Sequence, residues 1–248
     1  MSRIGFIGTG HIAAPMVRHL AAQGHEIIVT RRNETVSAVL ARDVGVAVAE
    51  PQAVVDACDI VFLCLRPHIA EDVLSGLSFR AEQQIVSVMA AVPRDRLAAF
   101  CAPAADYVQT IPLGFLEQGG CPLAAYGNDR LLSDLFAPEN PVVPVASEEA
   151  LNAHFAICAM VPGVLDLMNS GADWLGAQTG DRQAAEFFTT QLLAGFLNSM
   201  KGSLAEERDA LATDGTLSLQ MTDGLRTGGA HEALTTTLAA IGARLEAK

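Results

Sequence analysis

Positive charge is scarce in this sequence. Its 248 residues carry 16 Lys and Arg against 28 Asp and Glu, a formal net charge of −12. With a pI near 4.8, no K/R-rich run and no Arg/aromatic interleaving, the basic stripe of a nucleic-acid-binding protein is excluded. Cysteine is sparse as well. Cys58, Cys64, Cys101, Cys121 and Cys158 are odd in number and lack CxxC spacing, which predicts reduced, buried thiols rather than a disulfide framework or a metal site. Long apolar runs are missing: the longest, at 60–65 and 85–92, are strand-sized, too short for a bilayer. The chain enters its first strand directly after Met1-Ser2-Arg3, with no room for a leader, so a cytoplasmic setting is expected. With half the residues hydrophobic and 18% charged, a globular protein of one large or two smaller domains follows.

What is present starts at Ile4. Ile4–Ile7 reads as a buried strand, Gly8-Thr9-Gly10 as a turn, and Ile12–Ala22 as an amphipathic helix. Gly8, Gly10 and Ala13 occupy the three small-residue places of a Rossmann dinucleotide turn. The first makes the tight turn, the second lets a pyrophosphate approach, and the third lets helix and strand pack closely. An anion there sits on unpaired amides at a helix start. The second strand, Glu26–Thr30, ends in Thr30-Arg31-Arg32-Asn33, with no carboxylate at its tip to bind a ribose 2′-hydroxyl. Two guanidinium groups suit a 2′-phosphate, which selects NADP(H) over NAD(H).

Further along, a helix is predicted at 34–43, a short strand at 44–48 and a Pro51-led helix through Ala57. Asp59–Leu65 is a continuously apolar strand, as in a parallel sheet covered on both faces. It ends in Arg66-Pro67-His68, expected to be a ligand-facing loop. More strands are expected at 84–89, 107–111, 123–126 and 141–145, with a helix at 129–136 between the last two. This alternation specifies an α/β Rossmann domain with a doubly wound, mostly parallel sheet over residues 1–146.

Residues 147–248 carry no convincing strand and read as an all-α C-terminal domain. Ser147 caps a helix running toward Trp174, with a kink expected at Pro162-Gly163. Asp181 caps a second helix through Met200, and Ser203–Glu206 forms a capping box for a third. The last helix follows Gly228-Gly229. Phe187, Phe188, Leu192, Leu193, Phe196 and Leu197 cover more than one face of the second helix. That points either to a homodimer through the C-terminal helices or to a helix central to its own domain.

Several segments together resemble the pyrroline-5-carboxylate reductases. Ile4–Ala13 resembles that family's dinucleotide motif, with His11 where Asn or Gln is usual. Leu63-Cys64-Leu65-Arg66-Pro67 is similar to its Ala-Val-Lys-Pro loop, and Val88-Met89-Ala90-Ala91-Val92 to its Ala-Ala-Gly-Val turn. The resemblance implies an NADP-dependent oxidoreductase of proline biosynthesis that passes hydride to a small cyclic imino acid. The cofactor positions it implies are Gly8, Thr9, Gly10, His11, Ile12, Arg31, Arg32, Cys64, Leu65, Arg66, Pro67, Met89, Ala90 and Ala91. Its substrate side departs. The family's Met-Pro-Asn-Thr-Pro is Val108-Gln109-Thr110-Ile111-Pro112 here, and its Ser-Gly-Ser-Gly-Pro is Cys158-Ala159-Met160-Val161-Pro162. Its Ser-Pro-Gly-Gly-X-Thr loop is Arg226-Thr227-Gly228-Gly229-Ala230-His231.

By that likeness Arg226, Thr227, Gly228 and Gly229 hold the substrate, and His231, whose imidazole is the side-chain type suited to proton transfer, is the candidate proton donor. The alternative is that His231 and Arg226 are solvated surface groups. His154 is expected to be a satisfied structural histidine. The Pro15-Met16 pair is similar to 3-hydroxyisobutyrate dehydrogenase-like enzymes, whose catalytic lysine lies on the long helix. Residues 152–174 contain no lysine, and Lys201 is expected on a later helix. A non-catalytic NADPH-binding sensor is the third reading.

Overall fold

The structure, a computed structural model, describes residues 1–31 and 33–247. The first part of the chain alternates strand and helix: β1 Arg3–Ile7, α1 Ala13–Ala22, β2 Glu26–Thr30, α2 Glu34–Val44, β3 Ala47–Ala49, α3 Pro51–Ala57, β4 Ile60–Leu63, α4 Pro67–Leu74, β5 Gln84–Ser87, α5 Arg94–Cys101 and β6 Asp106–Thr110. After a short 3₁₀ turn at Leu116–Gln118 come β7 Leu123–Gly127, α6 Asp129–Phe136 and β8 Val142–Pro144. The strands form one eight-stranded sheet in the order β3-β2-β1-β4-β5-β6-β7-β8. Every neighbouring pair is parallel except β6 and β7. The mostly parallel, doubly wound sheet expected from sequence is present.

Alternation along the strands feeds two core layers. Ile4 and Phe6 of β1, with Ile60 and Phe62 of β4, pack with Met16, Val17 and Leu20 of α1. Val61 and Leu63 turn to the other face, against Val54, Val55 and Leu97. Phe6 stacks on Phe62 at 4.6 Å, and Phe62 meets Phe136 edge-on at 6.2 Å. Gly5 lets α3 close on β1: a β-carbon there would lie 2.6 Å from Val54 Cγ1. Gln83, fully buried, donates to the carbonyls of Val55 and Cys58 and accepts from the Arg80 amide, tying the end of α3 to the start of β5.

The remainder is helical: α7 Glu148–Cys158, α8 Met160–Thr179, α9 Arg182–Ser199, α10 Leu204–Leu211, α11 Leu217–Thr227 and α12 Ala230–Glu246. Ser147 Oγ accepts from the Ala150 amide at 3.1 Å. Asp181 caps α9, and the Ser203/Glu206 box is complete. Two compact units emerge, residues 1–155 with 245–248, and residues 156–244.

Several boundaries differ from expectation for local reasons. The chain breaks at Ala159, not at Pro162-Gly163, so Pro162 falls in the first turn of α8. Its missing N–H has no helical partner there, and α8 continues to Thr179. Pro67 and His68 belong to α4, whose first position is Pro67, so the loop after β4 is shorter than expected. The strand expected at 44–48 is confined to 47–49, because α2 persists to Val44 and ends on Gly45 at φ +72°. Lys201 lies between α9 and α10, its amide donating to Glu207 Oε1 at 2.9 Å. α4, α5 and α11 were not anticipated. Although only strand-sized apolar runs were visible in sequence, the helical stretch 148–179 averages a hydropathy of 1.5 over its most apolar window. By length and composition alone it is sufficient to cross a membrane. Phe187, Phe188 and Leu197 of α9 are 60–69% exposed, so α9 is not the centre of its own domain.

Candidate functional site

The sheet order reverses between β1 and β4, so the crevice at their carboxyl ends is the switch point where open α/β sheets bind ligands. The glycine turn lies there. Gly8 has φ +94°, and a β-carbon on it would sit 2.5 Å from the Cys64 carbonyl oxygen. The Cys64 amide donates to the Ile7 carbonyl at 2.8 Å, which holds the loop after β4 against the turn. Thr30 at the end of β2 secures the other side. Its Oγ1 accepts from the Gly8 amide at 2.9 Å, and its carbonyl accepts from Thr9 Oγ1 at 2.8 Å. Thr9 therefore offers a ligand its backbone, its hydroxyl being committed to the fold. Gly10 is different. No described residue lies within 4 Å of the place a β-carbon would occupy, and its carbonyl accepts the α1 hydrogen bond from Ala14 at 3.0 Å.

A cavity of about 730 Å³ opens above this turn, lined by Gly8–Ala13, Asn33, Glu34, Cys64–Arg66 and Val88, among others. A second, of about 390 Å³, shares Gly8, Glu34 and Leu65 with it and adds Thr30, Arg31 and Glu50. The structure thus brings together Gly8, Thr9, Gly10, His11, Ile12, Arg31, Cys64, Leu65 and Arg66. Arg32 lies outside the described residues. Pro67 starts α4 beside this groove without lining either cavity. Burial drives the Cys64 thiol far above its usual range, so it stays neutral and acts as an apolar wall. Glu34 and Glu50 are carboxylates that inspection of the β2 tip did not reveal. Glu34 directly follows Asn33, whose side chain caps α2 by accepting from Val36 at 3.2 Å. Both acids oppose a phosphate at Arg31, which makes the comparison of NADPH with NADH decisive.

Met89 and Ala91 line a different cavity, of about 390 Å³, together with Gln109, Tyr126, Asn152 and Phe155. Ala91 has φ +55°, the one left-handed non-glycine among the described residues. It stands at the glycine of the Ala-Ala-Gly-Val turn that this segment resembles, so an alanine is held where a glycine would be relaxed. Gln109 is a site residue that sequence reasoning missed. Its Nε2 donates to the Val92 carbonyl at 2.9 Å, while its Oε1, buried at the end of β6, has no partner among the described residues. The signal was a glutamine and a threonine ending an otherwise apolar strand; Thr110 Oγ1 is likewise buried and unpartnered among the described residues.

In the helical unit, Arg226 and Thr227 are the last residues of α11, Gly228-Gly229 the link, and His231 the first turn of α12. Thr227 Oγ1 donates to the Asp223 carbonyl at 2.5 Å. His231 lines a cavity of about 590 Å³ between α8, α11 and α12; Arg226, Thr227, Gly228 and Gly229 do not. His154 Nδ1 lies 2.7 Å from the Ala150 carbonyl and is structurally engaged.

Residues 3–91 match the family model described as NADP oxidoreductase, coenzyme F420-dependent. Over 132 residues, 50% of the chain, the sequence is 32% identical to pyrroline-5-carboxylate reductase of Pseudomonas aeruginosa, and that stretch spans 48% of the relative. A solved 1-pyrroline-5-carboxylate reductase from Streptococcus pyogenes matches at TM-score 0.86 and 21% identity, over 100% of this chain and 99% of that one. The chain has the pyrroline-5-carboxylate reductase fold. The resemblance drawn from the motifs is borne out. The pyrroline carboxylate reductase of Plasmodium falciparum, solved with NADP bound, matches at TM-score 0.84 and 14% identity, over 99% of this chain and 97% of that one. The pyrroline-5-carboxylate reductase likeness thus runs through the helical half, where the individual motifs diverge most.

Proposed function

We propose that the protein is an NADPH-dependent reductase that transfers hydride to the carbon of a C=N bond in a small cyclic imine. The observation that carries this reading is the glycine turn at the sheet's switch point, with open space above Gly10. The turn fits a dinucleotide. The amides from Gly8 to Ile12 would hold the pyrophosphate at the α1 N-terminus, and Arg31 the 2′-phosphate. When bound, the nicotinamide supplies the hydride. The protein's part is to position the imine, exclude water, and present a proton at the nitrogen, for which His231 is the candidate.

NADPH binding should change cofactor fluorescence, and NADH should bind more weakly. Equal affinity would remove the Arg31 role. Cofactor oxidation with pyrroline-5-carboxylate, other cyclic imines, 2-oxo acids and semialdehydes then tests the reaction; no turnover with any would favour the sensor reading. Loss of the proton donor in His231→Ala should lower kcat by about 10²-fold or more, and an unchanged kcat would remove that assignment.

We also read the exposed apolar surface of the helical unit as a subunit contact. Trp174, Phe187, Phe188, Phe196 and Leu197 are each 46–69% exposed. Contiguous apolar exposure on this scale marks an interface, and a homodimer is the expected species in sedimentation. A monomeric wild type would refute this, as would a Phe187→Lys, Leu197→Lys variant that stays dimeric.

A further inference from the structure

The cavity at the carboxyl ends of β5 and β6 holds one group that the fold leaves unsatisfied. Gln109, 3% exposed near the end of β6, lines this space, and its Oε1 has no partner among the described residues. The amide cannot turn over to change this. Its Nε2 already donates to the Val92 carbonyl at 2.9 Å, and reversal would set two oxygens against each other. The atom left over is therefore an acceptor, which only an N–H or O–H group satisfies. The charged residues of the wall, Glu148, Glu149 and Glu246, are all acidic, which disfavours an anion there. Every wall residue belongs to the compact unit that carries the Gly8 turn. β6 stands two strands beyond β4, about 10 Å at ~4.8 Å per strand, on the side of the switch point away from β2 and Arg31.

We propose that Gln109 holds the nicotinamide carboxamide, accepting one of its N–H bonds on Oε1. The proposal rests on the dinucleotide reading and adds a residue to it. A dinucleotide lying across a switch point places its two nucleotides on opposite sides of the crevice. With the 2′-phosphate at Arg31, the nicotinamide falls toward β5 and β6, one ribose and one ring from the Gly8 turn. Its carboxamide is uncharged and offers two N–H donors, whereas a substrate carboxylate offers none. Met89, Val92 and Phe155 give the ring an apolar wall. Gln109 also stands where the Met-Pro-Asn-Thr-Pro segment it replaces has a proline, which carries no side-chain acceptor. It is a positioning residue. Fixing the carboxamide fixes the rotation of the ring, and so which of its faces is turned outward.

The test is calorimetric binding to the full chain of NADP⁺ and of its 3-acetylpyridine analogue, in which a methyl ketone replaces the carboxamide and no N–H remains. Wild type should bind NADP⁺ about tenfold or more tightly than the analogue, the scale of one buried acceptor left unpaired. Gln109→Leu should remove that preference by weakening NADP⁺ alone. It should leave 2′,5′-ADP, which has no nicotinamide, bound as in wild type. A wild type that binds both dinucleotides equally overturns the proposal without recourse to a variant. So does a preference that survives in Gln109→Leu, or a variant that weakens both dinucleotides equally, the mark of a purely structural glutamine. If neither dinucleotide binds, the dinucleotide reading falls and takes the proposal with it. A carboxamide preference found in wild type and lost in Gln109→Leu, with no imine reduced, supports the proposal and refutes the reductase reading alone.

Discussion

Gly8 and Gly10 are two residues apart in one turn, yet the same substitution should have opposite consequences at them. At Gly8 an alanine must hold φ +94°, and its methyl would lie 2.5 Å from the Cys64 carbonyl oxygen and 2.9 Å from its carbon. The left-handed backbone costs about 1–2 kcal/mol for a residue with a β-carbon. Because the clash is with backbone, relief requires the loop after β4 to move away from β1, which adds about 1–3 kcal/mol by analogy with an overpacked core. A loss of about 2–5 kcal/mol corresponds, at about 2–4 °C per kcal/mol for a chain of this size, to a fall of about 4–20 °C in Tm. At Gly10 the φ is not left-handed and no described residue lies within 4 Å of an added β-carbon. An alanine there should leave Tm unchanged or raise it slightly, since losing a glycine stabilises by about 0.4–1 kcal/mol through the unfolded chain. Its methyl would nonetheless stand where the pyrophosphate approaches. NADPH affinity should fall at least tenfold, about 1.4 kcal/mol. Scanning calorimetry and NADPH fluorescence titration of both variants decide the matter. A Gly8→Ala protein as stable as wild type would refute the packing account. A Gly10→Ala protein that binds NADPH normally would show that the open space is not the phosphate site.

Three further outcomes follow from single residues. Ala91→Gly should raise stability by about 1 kcal/mol, because φ +55° is strained for alanine and free for glycine; a loss of stability by calorimetry would contradict that strain. Gln83→Leu removes the donor to the Val55 and Cys58 carbonyls in a fully buried position and should cost about 2–3 kcal/mol in denaturant melts, with a near-neutral result refuting the satisfaction argument. His19, stacked on Phe136 at 5.6 Å, has its pKa lowered by burial, partly offset by the Glu139 charge. The folded state therefore binds its proton less readily than the unfolded chain does. Its contribution to stability is complete above pH 6.5 and declines as pH falls from there toward the lower folded-state value. His25, lowered mainly by burial, acts in the same direction. His19→Gln should flatten the stability profile below pH 6.5, and an unchanged slope would remove His19 as a cause.

The parts of the fold legible in sequence are those whose cause is local. Gly8, the β2 sequence Glu26–Thr30, the Pro51 helix, the helix at 129–136 and the Asp181 and Ser203 caps each carry their own signal, and each element stands where that signal puts it. The errors fall where a neighbour decides. α4 starts on Pro67 because the Cys64 carbonyl is held against Gly8 and leaves little chain for a loop. α8 tolerates Pro162 because the break comes earlier, at Ala159. Glu34 and Glu50 reached the Arg31 cavity unseen because they are separated in sequence and joined only when α2 and α3 stand beside β2. Gln109 escaped because its meaning lies in an unpaired oxygen, which a sequence cannot display.

The nucleotide turn and the Arg226–His231 segment also differ in what their proposed chemistry demands of the backbone. A pyrophosphate is bound by amides and by the absence of side chains, so Gly8 and Gly10 suffice and any departure is sterically punished; this half keeps its motif. A substrate is bound mainly by side chains, and exposed helix positions accept new residues at little cost to a fold. Arg226 and His231 are both exposed helical residues. Substrate preference can therefore drift while the fold and the dinucleotide turn stay fixed. The substrate must therefore be established on this chain rather than carried over from the proteins it resembles.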